Sequence, residues 1–331
     1  EWHLALELRA RTPRVGLEPS TVSYSAAISA CEKGFQWRMA LRLLAVMPTL
    51  RQETNTVSHN AATSALENAA QWNRALALLA QMTSVRLDPD AVSYSAGISA
   101  CQNAAQWYLA LGLLAEMPNV RLELNAISCS AAIGACESAA QWRRALELMA
   151  QMLEVDLRPN RISYTSAITA CETAAQWRTA LWLLLQMPRA SLRPNSVGCN
   201  AAISACEKSR RWARSLQLLR GMHAGHLEPD DVSLSAAVVA CGGAWQWRRA
   251  SQLFQASPPR GCKPAAITCQ ALAASLEAAG EPGPAWALLG RLRLQVCALL
   301  LTGQREDIGP AITAADLLAW HGAPGGAPLA A

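Results

Sequence analysis

The residues of this sequence that could carry chemistry are eleven cysteines, five histidines and a row of acidic side chains. A metal site needs several such ligands at fixed spacing, and a nucleophile needs a base beside it. No Cys-x-x-Cys pair occurs, and only His223 and His226 lie close together, with nothing nearby to complete a site. Glycine-rich phosphate loops and nucleophile elbows are also absent. The sequence therefore predicts a protein with no metal, cofactor, small-molecule substrate or catalytic centre.

Most of the cysteines follow a period instead of clustering. They occupy one place in successive stretches of 35 residues: Cys31, Cys101, Cys136, Cys171, Cys206 and Cys241, with Leu66 in the remaining stretch. A thiol that recurs at an apolar helical place is typical of core packing, and many reduced thiols are typical of a reducing compartment. Glutamates recur one residue later, as at Glu32 and Glu67. We interpret them as a solvated stripe or a helix-end charge.

Tryptophan and methionine keep the same 35-residue period. The tryptophans are Trp2, Trp37, Trp72, Trp107, Trp142, Trp177, Trp212 and Trp247. Methionine follows ten residues later in most repeats, from Met47 to Met222. Such self-similarity predicts a repeat architecture in which both ladders belong to the core.

Each repeat has the pattern of two helices. In residues 91–125, Ser93 is a suitable N-cap for the first helix. Apolar residues then fall on one face of each helix: Tyr94, Ile98 and Cys101 in the first, and Trp107, Leu111, Leu114 and Met117 in the second. Proline followed by Asp or Asn closes several repeats, as at Pro89 and Pro159, and is expected to stop the second helix.

These patterns predict an all-α solenoid of stacked antiparallel helix-turn-helix repeats, because a single hairpin cannot bury its own apolar face. We expect the second helix of a truncated repeat over residues 1–20 and seven repeats over 21–265. A degenerate capping repeat over 266–300 and a C-terminal helix with a disordered tail over 301–331 should follow. Because the chain starts at Glu1 within a repeat, we interpret it as a fragment, with any targeting peptide outside it.

Composition agrees with a helical protein. Hydrophobic residues make up 52% of the chain, mostly Ala and Leu, which favour helix. No apolar run approaches the ~18 residues of a membrane span, so we expect no membrane partner. The net charge of +5 permits an anionic partner without requiring one.

The repeat resembles the pentatricopeptide repeat of the plain, P-type length. The resemblance rests on the period, the opening Val-Ser-Tyr-Ser from Val22 to Ser25, the Ala-Leu-x-Leu-Leu centre from Ala40 to Leu44, the Met47 that follows, and the closing Pro-Asp or Pro-Asn. It covers most of the chain. The main alternative, the tetratricopeptide repeat, is a slightly shorter hairpin that fits the constant period less well.

The resemblance implies a right-handed superhelix that binds single-stranded RNA with one base per repeat. In the family, the second residue of each repeat sandwiches a base against its equivalent in the next repeat. Here that place is always β-branched: Val22, Val57, Val92, Ile127, Ile162, Val197, Val232 and Ile267. The alternative is a hydrophobic staple at the helix entrance, and both interpretations stay open.

In the family, the fifth and last residues of each repeat read the base edge by hydrogen bonding. Ser or Thr with Asn resembles an adenine reader, and Asn with Asp resembles a uracil reader. The pairs in chain order are Ser25 with Asn55, Asn60 with Asp90, Ser95 with Asn125, Ser130 with Asn160, Thr165 with Asn195, and Asn200 with Asp230. They imply the RNA core 5′-AUAAAU-3′. Ser235 pairs with Ala265 and adds a loosely specified base. The alternative, that the Asn and Asp residues serve the turn after proline, is compatible with this role.

The family's roles imply organelle RNA stability, processing, editing or translation, a chloroplast or mitochondrial location, and RNA-processing proteins as further partners. Only Lys33 and Lys208 occupy a place where the family often has lysine, so phosphate affinity is expected to be weak. Arginines after the repeated tryptophan, such as Arg38 and Arg143, are interpreted as a solvated face. Two alternatives remain: a protein-interaction scaffold without RNA readout, and a decayed family member without a defined target.

Overall fold

The structure is a computed structural model that describes residue 3 and residues 20–49, 52, 54–225 and 227–256. Within these residues every regular element is a helix, and no strand occurs. The truncated repeat predicted over 1–20 lies outside them apart from residues 3 and 20. The capping repeat, C-terminal helix and tail predicted over 266–331 also lie outside them, as do Ala265 and Ile267.

The helices follow the predicted period, with a first and a second helix in each repeat. The first helices are α1 (Thr21–Lys33), α3 (Thr56–Asn68), α5 (Ala91–Asn103), α7 (Ala126–Ser138), α9 (Arg161–Thr173), α11 (Ser196–Lys208) and α13 (Asp231–Gly242). The second helices are α2 (Trp37–Thr49), α4 (Trp72–Ser84), α6 (Trp107–Glu116, continued by a 3₁₀ turn over Met117–Val120), α8 (Trp142–Glu154), α10 (Trp177–Arg189), α12 (Trp212–Ala224) and α14 (Trp247–Ala256).

The chain divides into two compact units, Glu1–Ala205 and Cys206–Ala331, with the boundary inside α11. In the first compact unit, the first helices α1, α3, α5, α7 and α9 pack side by side in chain order. Each contacts the second helix of its own hairpin, and each of α2, α4, α6 and α8 also contacts the next first helix. In the second compact unit, α13 contacts both α12 and α14. The predicted class, all-α with helical hairpins stacked in series, is confirmed.

The core comes from places that recur in every repeat. In α2 the buried residues are Ala40, Leu43, Leu44 and Met47, at the spacing of one helix face. The repeated methionines are at most 2% exposed: Met47, Met82, Met117, Met152, Met187 and Met222. All the cysteines within the described residues are buried and free. The predicted core role of methionine and cysteine is therefore confirmed.

The repeated tryptophans differ from that prediction, since each one whose side chain the structure describes is only half-buried. Trp37 and Trp72 pack one side against the core. Arginines cover other parts of these rings: the guanidinium of Arg74 lies 4.5 Å from the Trp37 ring centre, and that of Arg249 lies 4.3 Å from the Trp212 ring centre. Trp therefore closes the edge of the core. Arg38 and Arg143, which were interpreted as a solvated face, are also cation–π partners, with guanidinium groups 5.2 Å from the Trp37 ring centre and 5.3 Å from the Trp142 ring centre.

The helices end in left-handed turns instead of at proline. Two residues after each of several helices, φ is positive at a residue other than glycine, as at Arg86 (57°) and Ala140 (56°). After α4, the Leu87 N–H then donates to the Met82 carbonyl at 2.9 Å, which closes the helix end. The expectation that Pro89 stops α4 is wrong, because that helix ends at Ser84 and the proline lies in the extended segment beyond it.

Candidate nucleic-acid interface

The last residue of each repeat is the N-cap of the next first helix. In the six repeats from residue 21 to residue 230, its side-chain oxygen accepts a backbone N–H at 2.7–3.0 Å: Asn55 from Ser58, Asp90 from Val92 and Ser93, Asn125 from Ser128, Asn160 from Ser163, Asn195 from Gly198, and Asp230 from Ser233. The prediction that Ser93 is the cap is therefore wrong. Ser93 is the third helical residue. The cap is Asp90, which directly precedes the helix and has an extended backbone conformation.

Capping leaves one atom of each cap side chain for other partners. Since Oδ1 faces the helix, an asparagine cap such as Asn125 presents its Nδ2 amide, which is a hydrogen-bond donor. An aspartate cap such as Asp90 presents Oδ2, which is an acceptor. The identity of the cap therefore decides whether a donor or an acceptor faces away from the helix.

The hydroxyls at the fifth place turn back to their own helix. Ser25, Ser95, Ser130 and Thr165 each donate to the carbonyl four residues earlier, at 2.5–3.0 Å. Because the single hydroxyl proton is engaged, these side chains offer lone pairs to any further partner. Asn60 is the exception in the second repeat, because its amide nitrogen donates to Asp90 Oδ1 and Oδ2 at 3.1 and 3.3 Å.

We use the term polar pair for the fifth and last residues of one repeat. Asn60 and Asp90 are hydrogen-bonded to each other, and Thr165 Oγ1 lies 3.5 Å from Asn195 Oδ1. Asn200 lies in the first compact unit and Asp230 in the second. The partner assigned to Ser235 lies outside the described residues.

A row of exposed apolar side chains accompanies the polar pairs. The second residues of the repeats are between 56% (Val197) and 76% (Val22) exposed, and the row comprises Val22, Val57, Val92, Ile127, Ile162, Val197 and Val232. A hydrophobic staple would join the residue before the cap to the fourth helical residue. These side chains instead follow the cap by two residues and stay exposed, so the staple interpretation is wrong.

The sequence interpretation missed a third set of polar residues, at the third place of each repeat. Ser58, Ser93, Ser128, Ser163 and Ser233 are fully buried beside the caps, and their backbone N–H groups donate to the cap side chains. Their 35-residue recurrence was the available signal. Serine occurs so often at unrelated places that the period alone did not single them out.

Electrostatics differ between the two ends of the first helices. At the N-terminal end, burial raises the pKa of the Asp90 carboxyl, but hydrogen bonds from Ser93, Asn60 and Val92 outweigh it and hold the pKa below its usual value. The carboxyl is therefore ionised at neutral pH and remains an acceptor.

Near the C-terminal end, the glutamate row is half-buried, so of the two interpretations, a solvated stripe or a helix-end charge, the structure favours the second. Burial raises the pKa of Glu67; a hydrogen bond with Ser99 partly offsets this shift, and the charge of Glu32 adds to it. Exposed lysines accompany this row at Lys33 and Lys208.

Two further expectations can be compared with the structure. In the described part of the chain, no group of three or more His, Cys, Asp or Glu side chains could hold a metal ion. None of the helices described above combines the length and the apolar character that a membrane crossing needs.

Comparison with known proteins shows what part of the sequence and the fold resemble. Residues 112–173 match the family model of the pentatricopeptide repeat domain. The crystal structure of the pentatricopeptide repeat protein PPR10 from maize is similar, with 20% identity, a TM-score of 0.55, and coverage of 89% of this chain and 47% of that one. PPR10 in complex with an 18-nucleotide psaJ RNA element is also similar, with 16% identity, a TM-score of 0.53, and coverage of 87% and 48%. No curated protein matches the sequence.

The chain is thus a helical-repeat protein whose hairpins pack in series. The family model matched over residues 112–173 and the similar fold of PPR10 both agree with the predicted resemblance to pentatricopeptide repeats. The chain spans about half the length of the solved relatives that it matches.

Proposed function

We propose that this protein binds single-stranded RNA with one base per repeat and prefers the core 5′-AUAAAU-3′. The observation that carries the proposal is the pattern of donors and acceptors at the polar pairs. In the repeats with Ser or Thr at the fifth place, a lone-pair acceptor accompanies an asparagine amide donor. In the second repeat, the Asn60 amide accompanies the Asp90 carboxylate.

These two patterns complement two different bases. The Watson–Crick edge of adenine has an amino donor beside a ring-nitrogen acceptor, which suits an acceptor and a donor such as Ser95 and Asn125. Uracil has a carbonyl acceptor beside a ring N–H donor, which suits a donor and an acceptor such as Asn60 and Asp90. The assignment of A and U therefore has a chemical basis in the cap geometry as well as in family resemblance.

The exposed β-branched row supplies apolar surface for the base faces. Each of these residues, such as Val92 or Ile127, follows its cap by two places and is more than half exposed. Because successive first helices pack side by side, equivalent side chains follow one another from repeat to repeat. A base held between two of them would be shielded from water on both faces, at ~1–3 kcal/mol for each stacked base.

The solved relatives support the same ligand class. PPR10 has been crystallised with an 18-nucleotide RNA element, and the fold of this chain resembles PPR10 over 87% of this chain's residues. We further propose that the protein acts without catalysis, in organelle RNA stability, processing, editing or translation, together with other RNA-processing proteins. Among the described first helices, only two end in a lysine, Lys33 and Lys208. We therefore expect lysine contacts with the phosphates to contribute little to RNA affinity.

A binding titration tests the proposal. Fluorescence anisotropy with labelled AUAAAU and with the oligomer CCCCCC, which matches none of the proposed base assignments in any register, each at two salt concentrations, should give tight binding to the first only. Selectivity should persist at the higher salt, because base contacts release few counterions. Equal, weak and salt-sensitive binding to both oligomers would overturn the proposal and favour a protein-interaction scaffold instead.

A further inference from the structure

We propose that the buried serine at the third place of a repeat is a positioning residue that sharpens base selection by the polar pair of the preceding repeat. The inference rests on the proposed function and extends it to a residue that touches no base. Its strongest case is Ser93, which follows the Asn60 and Asp90 pair.

Ser93 is hydrogen-bonded to both members of that pair. Its hydroxyl lies 2.6 Å from Asn60 Oδ1 and 3.0 Å from Asp90 Oδ1, and it accepts the Asp90 backbone N–H at 3.2 Å. The Ser93 side chain is fully buried, so water does not compete for these bonds.

This arrangement fixes the orientation of the Asn60 amide. Its oxygen faces the Ser93 hydroxyl, and its nitrogen faces the Asp90 carboxylate. A half-turn of the amide would place its oxygen against that carboxylate, and Asn60 would then offer the base an acceptor instead of a donor. The Ser93 hydroxyl, which donates to the amide oxygen, acts together with the carboxylate to keep the pattern that suits uracil and to disfavour the one that admits cytosine.

The other repeats provide internal comparisons. Ser163 also reaches the pair before it, since its oxygen lies 2.9 Å from Ser130 Oγ and 3.2 Å from Asn160 Oδ1. Ser58 and Ser128 instead donate to the backbone carbonyls of their caps, at 2.8 and 3.0 Å.

Gly198 occupies the same place after the Thr165 and Asn195 pair and has no hydroxyl to supply. Asn195 still caps the Gly198 N–H at 2.9 Å, but the contact within the pair is 3.5 Å, the longest of the direct pair contacts given above. Capping therefore does not require the hydroxyl, which leaves positioning of the pair as the role that distinguishes Ser93 and Ser163.

The test compares base selectivity in the full chain and in three variants at the third place. Ser93→Ala removes the hydroxyl, and Ser93→Thr restores it. Ser128→Ala removes a buried hydroxyl at the same helical place that bonds to the backbone of its cap and to the adjacent Cys129, so it controls for a loss of helix stability.

We expect the wild-type chain to prefer AUAAAU over ACAAAU by about tenfold. That ratio should fall several-fold in Ser93→Ala and return in Ser93→Thr. In Ser128→Ala, the preference for AUAAAU over AUGAAU should stay at its wild-type value, although the melting temperature falls as in Ser93→Ala.

The outcomes separate the two claims. If the wild-type chain binds AUAAAU and ACAAAU equally, the proposed function fails and the inference fails with it. If the wild type discriminates and folded Ser93→Ala keeps the same ratio, only the inference is overturned. Should Ser93→Ala fail to fold, Gly198→Ser decides, because an added hydroxyl should raise the preference for A over G at the fifth base. An added Cβ there lies 3.1 Å from Asn195 Oδ1, which requires only a small shift.

Discussion

At the scale of single residues, a cap side chain has two polar atoms that face different partners. One stabilises the first helix, typically by about 1 kcal/mol, and the other faces outward. Exchange between Asn and Asp therefore preserves the helix while it inverts the outward hydrogen-bonding group. Such exchanges separate RNA recognition from folding better than alanine substitutions, which remove both atoms.

The second repeat offers a direct test of base choice. In Asp90→Asn, an amide donor replaces the outward carboxylate, so we expect the preferred second base to change from U towards C, whose ring nitrogen is an acceptor. In Asn60→Thr, a hydroxyl replaces the amide and we expect a change towards G, whose amino group can donate to it. Competition titrations with the four oligomers that differ at the second base would measure this. Wild-type preference in both folded variants would exclude the base assignment even if RNA binds.

His59 should make the protein sensitive to mild acid. It is 1% exposed, and burial lowers its pKa, although a hydrogen bond with the Asn55 carbonyl at 3.2 Å partly offsets the shift. Below about pH 6.5 the unfolded chain therefore binds a proton that the folded chain takes up less readily. The stability contributed by neutral His59 is present above that pH and is lost as the pH falls towards the lower folded-state pKa.

The matched variant is His59→Tyr, because Tyr24 and Tyr94 occupy the same buried place in the adjacent repeats. Melting temperatures at pH 7.5 and 5.5 should differ less in the variant than in the wild-type chain. Half-buried glutamates such as Glu67 titrate in both proteins, so their contribution cancels in this comparison. An unchanged acid dependence would exclude His59 as its source.

At the scale of helices, the left-handed turns carry avoidable strain. Ala140 has a φ of 56°, whereas its neighbour Ala139 has a φ of −101°. A left-handed residue other than glycine costs about 1–2 kcal/mol, partly offset in a glycine variant by its greater entropy loss on folding. We expect Ala140→Gly to raise the melting temperature and Ala139→Gly not to raise it, as measured by circular dichroism. An equal change in melting temperature in both variants would show that strain at Ala140 does not reduce the stability of the protein.

The helices could be predicted well and the polar contacts poorly, for physical reasons. A residue such as Met82 or Cys101 meets the same environment in every repeat, so its period alone reveals burial. The role of Asp90 was harder to assign, because an Asp after proline suits either a turn or a cap until the first helical hydrogen bond is located. The contact between Asn60 and Ser93 joins residues far apart in the chain and depends on side-chain rotation. The half exposure of Trp72 depends on how its large ring packs at the edge of the core, which the 35-residue period does not reveal.

At the scale of the whole molecule, helix contacts in the first compact unit lie within one repeat or between adjacent repeats. Stability should therefore be a sum of local terms. We expect Met82→Ala, which empties a fully buried site in α4, to cost about 2–5 kcal/mol. Amide exchange measured by mass spectrometry should accelerate in α3, α4 and α5 but stay slow in α9.

The control for this prediction is Leu153→Ala, because Leu153 is 62% exposed on α8. It should change exchange little in any helix. Faster exchange throughout the first compact unit in Met82→Ala would mean that its repeats open together rather than locally.

The buried thiols give the molecule built-in reporters of opening kinetics. Burial raises the pKa of Cys101 and Cys136 to about 11, so almost no reactive thiolate exists in the closed state at neutral pH. Alkylation of these thiols therefore requires the surrounding helices to separate first. Pulsed labelling with peptide mass mapping would give a separate rate for each thiol-bearing repeat, while the repeat with Leu66 would give no signal. These rates would rank the repeats by their frequency of local opening without any added probe.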